Sequence, residues 1–149
     1  YFARLHFTET RPDPTTADAL AEAAAGIVPV VGASVITCFT SSGSTVRRVA
    51  RERPSAPILA LTPRSDTARK LGLTWGVHAI RTKDIGNFEE MIGKARRMAL
   101  RHDMSAKGGK IVVLAGVPFG TPGSTNVLHV ATVRGDELKG RDETPSLPA

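Results

Sequence analysis

Thr40-Ser41-Ser42-Gly43-Ser44-Thr45 sets five hydroxyls around one glycine. It joins a buried-strand pattern directly to a helical one. Phosphate binding needs hydrogen-bond donors and positive potential without bulk. The hydroxyls and the free N–H groups of the first helical turn supply the donors, Gly43 permits the sharp turn, and the helix dipole adds favourable potential. Arg47 and Arg48 stand one turn further in, either strengthening such a site or forming a solvated helix face. On spacing alone, a phosphate grip and a plain helix cap by Ser42 or Ser44 explain the loop equally well. A second glycine- and proline-rich loop, Gly116 to Gly123, leads into Ser124-Thr125-Asn126. It reads either as a partly stiffened flap over a ligand or as a simple connection between two strands.

Other candidates are weaker. The chain has neither GxxxxGK[ST] nor GxGxxG, which argues against a nucleoside triphosphatase loop and a dinucleotide fingerprint. His6, His78, His102 and His129 fall in no metal-ligand spacing, and Cys38 lies inside an apolar strand, so it reads as a core residue. Glu89-Glu90 sits at a helix start, where the dipole favours carboxylates. Trp75 and Met98 are expected in the core. Lys94, Arg97 and Arg101 form a basic stripe that reads as a solvated face, because no RNA-binding motif accompanies it and aromatics are only 5% of the chain. No catalytic residue and no metal ligand is expected.

These loops need elements to hold them. Residues 1–14 end in Arg11-Pro12-Asp13-Pro14 and read as an extended lead-in. Thr16 is the expected N-cap of an alanine-rich helix ending at Gly26, with Ala17, Leu20, Ala21, Ala24 and Ala25 at helical spacing. Ala33 to Phe39 reads as a strand buried on both faces, followed by a helix over Thr45 to Glu52 that Arg53-Pro54 stops. Ile58 to Thr62, Ser65 to Leu71 and Val77 to Arg81 repeat strand, helix and strand. Asn87 caps a longer helix to Arg101, and Ile111 to Leu114 and Asn126 to Val133 complete a set of five strands. Residues 15–133 thus predict one α/β domain, a three-layer α/β/α sandwich. Its five-stranded sheet is mostly parallel, with the last strand antiparallel. Residues 134–149 read as a polar, frayed tail. In such a sheet, function is expected in the loops after Phe39, Thr62 and Leu114, at the carboxyl ends of strands.

Composition agrees with this architecture. The 149 residues, 41% hydrophobic, suffice for a single core. A net charge of +6 favours acidic partners such as phosphates. One cysteine excludes an internal disulfide and fits a reducing cytoplasm. No apolar run approaches the roughly 20 residues of a membrane span. The chain opens at Tyr1 in what reads as mid-protein, so a longer parent is expected.

Several motifs in register carry a family resemblance. Thr40 to Thr45, Arg53-Pro54, Pro57 to Pro63, Thr67-Ala68-Arg69, Trp75-Gly76-Val77, Ala115 to Pro118 and Gly123 to Asn126 resemble the C-terminal domain of pyruvate kinase, in its bacterial style. The match runs in order from about Thr15 to Val133. The resemblance implies a cytoplasmic glycolytic parent, commonly a homotetramer, that transfers phosphoryl from phosphoenolpyruvate to ADP with magnesium and, in many members, potassium. Catalysis there belongs to a barrel domain absent here, so the resemblance assigns no catalytic, metal or cofactor residue to this chain. In regulated members the C-terminal domain binds a phosphorylated metabolite. The phosphate-gripping turn then corresponds to Thr40, Ser41, Ser42, Gly43, Ser44 and Thr45, and the covering loop to Val117, Pro118, Phe119, Gly120, Thr121, Pro122 and Gly123.

Two departures shape the expectation. Ser41 and Ser44 stand where some members carry a cation, and Thr82 to Asn87 is short where some members grip a second phosphate. One well-made phosphate pocket is expected, with a monophosphate, a sugar bisphosphate or no effector all open. The rival readings are a free-standing α/β domain acting on a phosphorylated small molecule, and a purely structural domain.

Overall fold

The computed structural model describes residues 15–117 and 125–136. The lead-in, the covering loop beyond Val117 and the tail beyond Asp136 lie outside the described residues. The order of elements is α1 (Thr16–Val31), β1 (Ala33–Phe39), α2 (Ser44–Arg51), β2 (Ile58–Thr62), α3 (Ser65–Leu71), β3 (Val77–Arg81), α4 (Phe88–Arg101), β4 (Lys110–Gly116) and β5 (Thr125–Thr132).

The strands form one sheet in the order β3-β2-β1-β4-β5. β1 pairs in parallel with both β2 and β4, placing Cys38 between Ala60 and Leu114, and β2 pairs in parallel with β3. β4 and β5 are antiparallel, as expected of two strands joined without a helix. The chain moves outward from β1 through β2 to β3, then returns along α4 to the other side of β1. With right-handed crossovers this reversal carries α4 to the opposite face.

The core confirms that layering through the two-residue period of the strands. Ile36, Cys38, Ile58, Ala60, Val112 and Leu114 face Ala21, Ala24 and Val28 of α1, Val46 and Val49 of α2, and Leu71 of α3. Val35, Leu59, Leu61, Ile111 and Val113 face Met91, Ile92, Ala95, Met98 and Ala99 of α4. Alanines on α1 and α4 let helix backbones approach the sheet closely. The branched strand residues supply the buried area, each fully buried one contributing about 1.5–3 kcal/mol.

Four expectations need correction. Thr15, not Thr16, caps α1: its hydroxyl accepts the Asp18 N–H at 3.2 Å, and Asp18 reaches back to the Thr15 N–H at 3.3 Å. Nor does α1 stop at Gly26. Buried Val28 continues its apolar face, and the helix absorbs Pro29 in its last turn. It ends where Gly32 adopts φ 69° and donates to the Val28 carbonyl.

Trp75 is not in the core but 73% exposed. It lies in the turn between α3 and β3, outside the space between helix and sheet, and the Arg53 guanidinium stands 5.2 Å from its ring centre. The basic stripe on α4 is not simply solvated. Lys94 is half-buried, and its Nζ donates to the Lys83 carbonyl at 2.6 Å, tying down the connection after β3. No helix among the described residues is long and apolar enough to cross a membrane.

Candidate functional site: a hydroxyl loop at the sheet's reversal point

The carboxyl ends of β1 and β4, neighbours whose onward connections diverge, form the crevice where doubly wound sheets bind ligands. The β1 ladder runs one residue past the strand, with the Thr40 N–H donating to the Leu61 carbonyl at 3.0 Å. The chain then folds back: buried Thr40 accepts the Gly43 N–H on its Oγ1 at 2.8 Å. Gly43 is buried, with φ 87° and ψ −1°. A Cβ there would stand 3.1 Å from Leu71 Cδ2 and 3.2 Å from Arg47 Nη1. The left-handed backbone calls for glycine, and a Cβ would also require these two side-chain ends to give by a few tenths of an ångström.

Gly43 is itself the N-cap of α2, so no side-chain cap closes the first turn of that helix. Ser42 Oγ accepts the Ser44 N–H at 3.3 Å and donates to Ser44 Oγ at 3.2 Å. The N–H groups of Thr45 and Val46, next in the first turn, have no intrahelical acceptor by the geometry of a helix start. Ser42 is exposed and Ser44 half-buried. Thr40 and Thr45, by contrast, are buried and spend their hydroxyls inside the protein, Thr45 on Thr125 Oγ1. Two hydroxyls thus shape the turn while two face outward.

The loop is braced from both sides. Thr67 Oγ1 donates to the Ser41 carbonyl at 2.8 Å, and Arg47 Nη1 donates to the Ser42 carbonyl at 3.2 Å. Arg48 turns away to α1, where its Nε meets Asp18 at 3.2 Å. Across the crevice, Asn126 exchanges two hydrogen bonds with Val117, accepting its N–H at 2.8 Å and donating to its carbonyl at 2.6 Å. This pinches the base of the connection between β4 and β5. Of the expected covering loop, exposed Val117 is described; residues 118–123 lie outside the described residues.

A groove of about 300 Å³ opens beside the loop, lined by Ser41, Ser42, Arg64, Asp66, Thr67 and Lys70. Arg64 and Lys70 did not stand out in the sequence. The loop after Thr62 was expected to matter, but no motif marks individual residues in it. Arg64 grips Asp66 with Nε at 3.2 Å and Nη2 at 3.1 Å. That pair holds the Asp66 carboxyl down at about 2, chiefly through the hydrogen bond from Arg64. Cys38 is fully buried behind the loop, and burial pushes its thiol up to about 12, so it is protonated and inert at neutral pH. The loop offers donors, small volume and nearby cations, which is binding chemistry for an anion. It pairs no hydroxyl with an imidazole or other general base, the arrangement that nucleophilic catalysis requires.

Fold and loop together define a doubly wound α/β domain with a hydroxyl-rich turn at its reversal point. Comparison with known proteins makes the family specific. The pyruvate kinase alpha/beta domain family matches residues 18–131. The chain is 44% identical over 133 residues to a pyruvate kinase of Methylorubrum extorquens, covering 89% of this chain and 28% of that protein. It is 43% identical over 126 residues to one of Agrobacterium vitis, covering 85% and 27%. A solved pyruvate kinase from Cryptosporidium parvum superposes with a TM-score of 0.72 at 26% identity, over 82% of this chain and 24% of that one. The chain belongs to the pyruvate kinase alpha/beta domain family, and it spans about a quarter of the length of the curated relatives it matches.

Proposed function

We propose that this chain is the C-terminal regulatory and oligomerisation domain of a pyruvate kinase. In this reading the parent is a cytoplasmic homotetramer that transfers phosphoryl from phosphoenolpyruvate to ADP. Thr40 to Thr45 bind a phosphoryl group of a phosphorylated metabolite, and the loop from Val117 to Gly123 covers it. The observation that carries the reading is the first turn of α2, whose glycine N-cap offers it no side-chain hydrogen bond, with exposed Ser42 and half-buried Ser44 beside it. Thr40 and Thr45 hold the turn in shape. The effector regulates catalysis to the extent that it binds the active arrangement of the tetramer more tightly than the inactive one.

Magnesium and potassium belong to the catalytic barrel of such an enzyme. No group of three His, Cys, Asp or Glu side chains that could hold a metal ion occurs among the described residues, and none is assigned here. The chain's own contribution is to bind and to associate, and the isolated domain is expected to be inactive.

The test is calorimetric titration and thermal shift of this chain with sugar monophosphates, sugar bisphosphates and nucleoside monophosphates. Ligand at about 100 times its dissociation constant stabilises the domain by about 2.7 kcal/mol. Ser42→Ala weakens binding and Gly43→Ala abolishes it. Turnover by the isolated chain that fails in Ser42→Ala would instead establish a free-standing enzyme, and no binding of any phosphate compound would leave a structural domain.

A further inference from the structure

The opposite edge of the sheet, where β2 and β3 begin, carries a second feature, which shares only Arg47 with the loop above. A cavity of about 210 Å³ there is lined by Arg47, Ala50, Arg51, Arg53, Thr74 and Trp75. Two backbone turns in the left-handed region build it. Arg53, just past the end of α2, has φ 51°, and Gly76, just after Trp75, has φ 74°. Arg53 is one of two non-glycine residues with positive φ among the described residues, a conformation that costs any residue bearing a Cβ some strain. The outcome is the guanidinium of Arg53 at 5.2 Å from the Trp75 ring centre, within cation–π range, while most of the indole stays in water.

The charge around that ring is one-sided. Arg47, Arg51 and Arg53 all line the cavity, and no carboxylate does. Arg51 shares Asp18 with Arg48. An exposed indole offers a stacking face, and guanidinium forks match a phosphate with two or more donors each.

We propose that Trp75 and the guanidinium groups of Arg47, Arg51 and Arg53 form a second ligand site, which takes a free nucleotide, its base stacked on the indole and its phosphate among the arginines. The volume suits the base and its nearest substituents, with the remainder of the ligand in solvent. The proposal does not rest on the phosphate-loop reading: Arg51, Arg53 and Trp75 stand at the far end of α2 and just before β3, and only Arg47, whose Nη1 donates to the Ser42 carbonyl, is shared with that loop.

Trp75 is the single tryptophan of the chain, so its emission reports the site directly. The 149-residue chain is titrated with adenosine monophosphate, adenosine and ribose 5-phosphate, exciting the indole beyond adenine absorption. Saturable quenching by the nucleotide is expected, weaker quenching by the nucleoside, and none by the ribose phosphate. Arg53→Gln raises the nucleotide Kd read by indole quenching at least about fivefold. Because Trp75 is exposed, Trp75→Leu preserves the fold, and nucleotide binding by calorimetry falls by a similar factor in it. Absent quenching overturns the proposal. So does quenching that survives Arg53→Gln and disappears in Ser42→Ala, since that would place the nucleotide on the phosphate loop; the phosphate-loop reading fails separately, if sugar phosphates do not bind.

Discussion

The hydroxyls of Thr45 and Thr125 are hydrogen-bonded to each other across 80 residues of sequence, both buried. Thr45 is in the first turn of α2 and Thr125 opens β5, so this one contact joins the hydroxyl loop to the connection between β4 and β5. It is a direct side-chain link between the two segments that flank the crevice.

Thr45→Val strands the Thr125 hydroxyl in a buried position and is expected to cost about 1–3 kcal/mol. Thr125→Val strands its partner in the same way. The double variant, having no orphaned hydroxyl, should lose clearly less than the sum. Urea denaturation of the four proteins measures the coupling, and strictly additive losses would show that the two groups do not depend on each other.

Gly43→Ala combines a left-handed backbone position with contacts at 3.1 and 3.2 Å to Leu71 and Arg47. A loss of about 1–2 kcal/mol follows from the backbone alone. A melting temperature equal to that of the parent chain would contradict the geometry of the turn.

Thr37, fully buried on β1 beside Leu59 and Val113, has no hydrogen-bond partner for its Oγ1 among the described residues. Its hydroxyl was desolvated without compensation on folding. Thr37→Val keeps the shape and removes that penalty, so a gain of about 1 kcal/mol is expected. It should appear as a higher urea midpoint with an unchanged slope.

His102, at the end of α4, has its imidazole pKa lowered from the ordinary 6.5, first by burial, then by the charges of His78 and Arg101, with Asp103 opposing. The His78 and His102 ring centres are 5.2 Å apart. The folded protein therefore binds fewer protons than the unfolded chain just below pH 6.5. Its stability is complete above that value and falls as the pH drops through 6.5 toward the folded pKa. Melting temperatures between about pH 7 and about pH 5 should decline less in His102→Asn than in the parent chain.

Much of this was legible from local pattern. Uncharged β-rich runs such as Ile58–Thr62 admit few alternatives to a doubly buried strand, and all five of its residues are buried. Asn87 caps α4 as its type predicts, accepting the Glu90 N–H at 2.9 Å. Where pattern failed, a non-local contact decided. The residues after Gly26 look like a helix stop because glycine and proline are poor helix formers, yet the burial of Val28 against the sheet offsets both. Trp75 looks like a core residue by type, but the turn at Gly76 holds it outside, over Arg53.

The sequence by itself determined the element order, the α/β class, the family and the position of the hydroxyl loop, because each follows from short-range periodicity, capping chemistry and motif spacing. Only the tertiary structure decided which of those hydroxyls face outward, that Arg64 and Lys70 stand beside them, and that three arginines gather around an exposed indole. Those outcomes depend on which strands become neighbours and on where β1 and β4 part. They are set by packing between residues tens of positions apart, which no local pattern encodes.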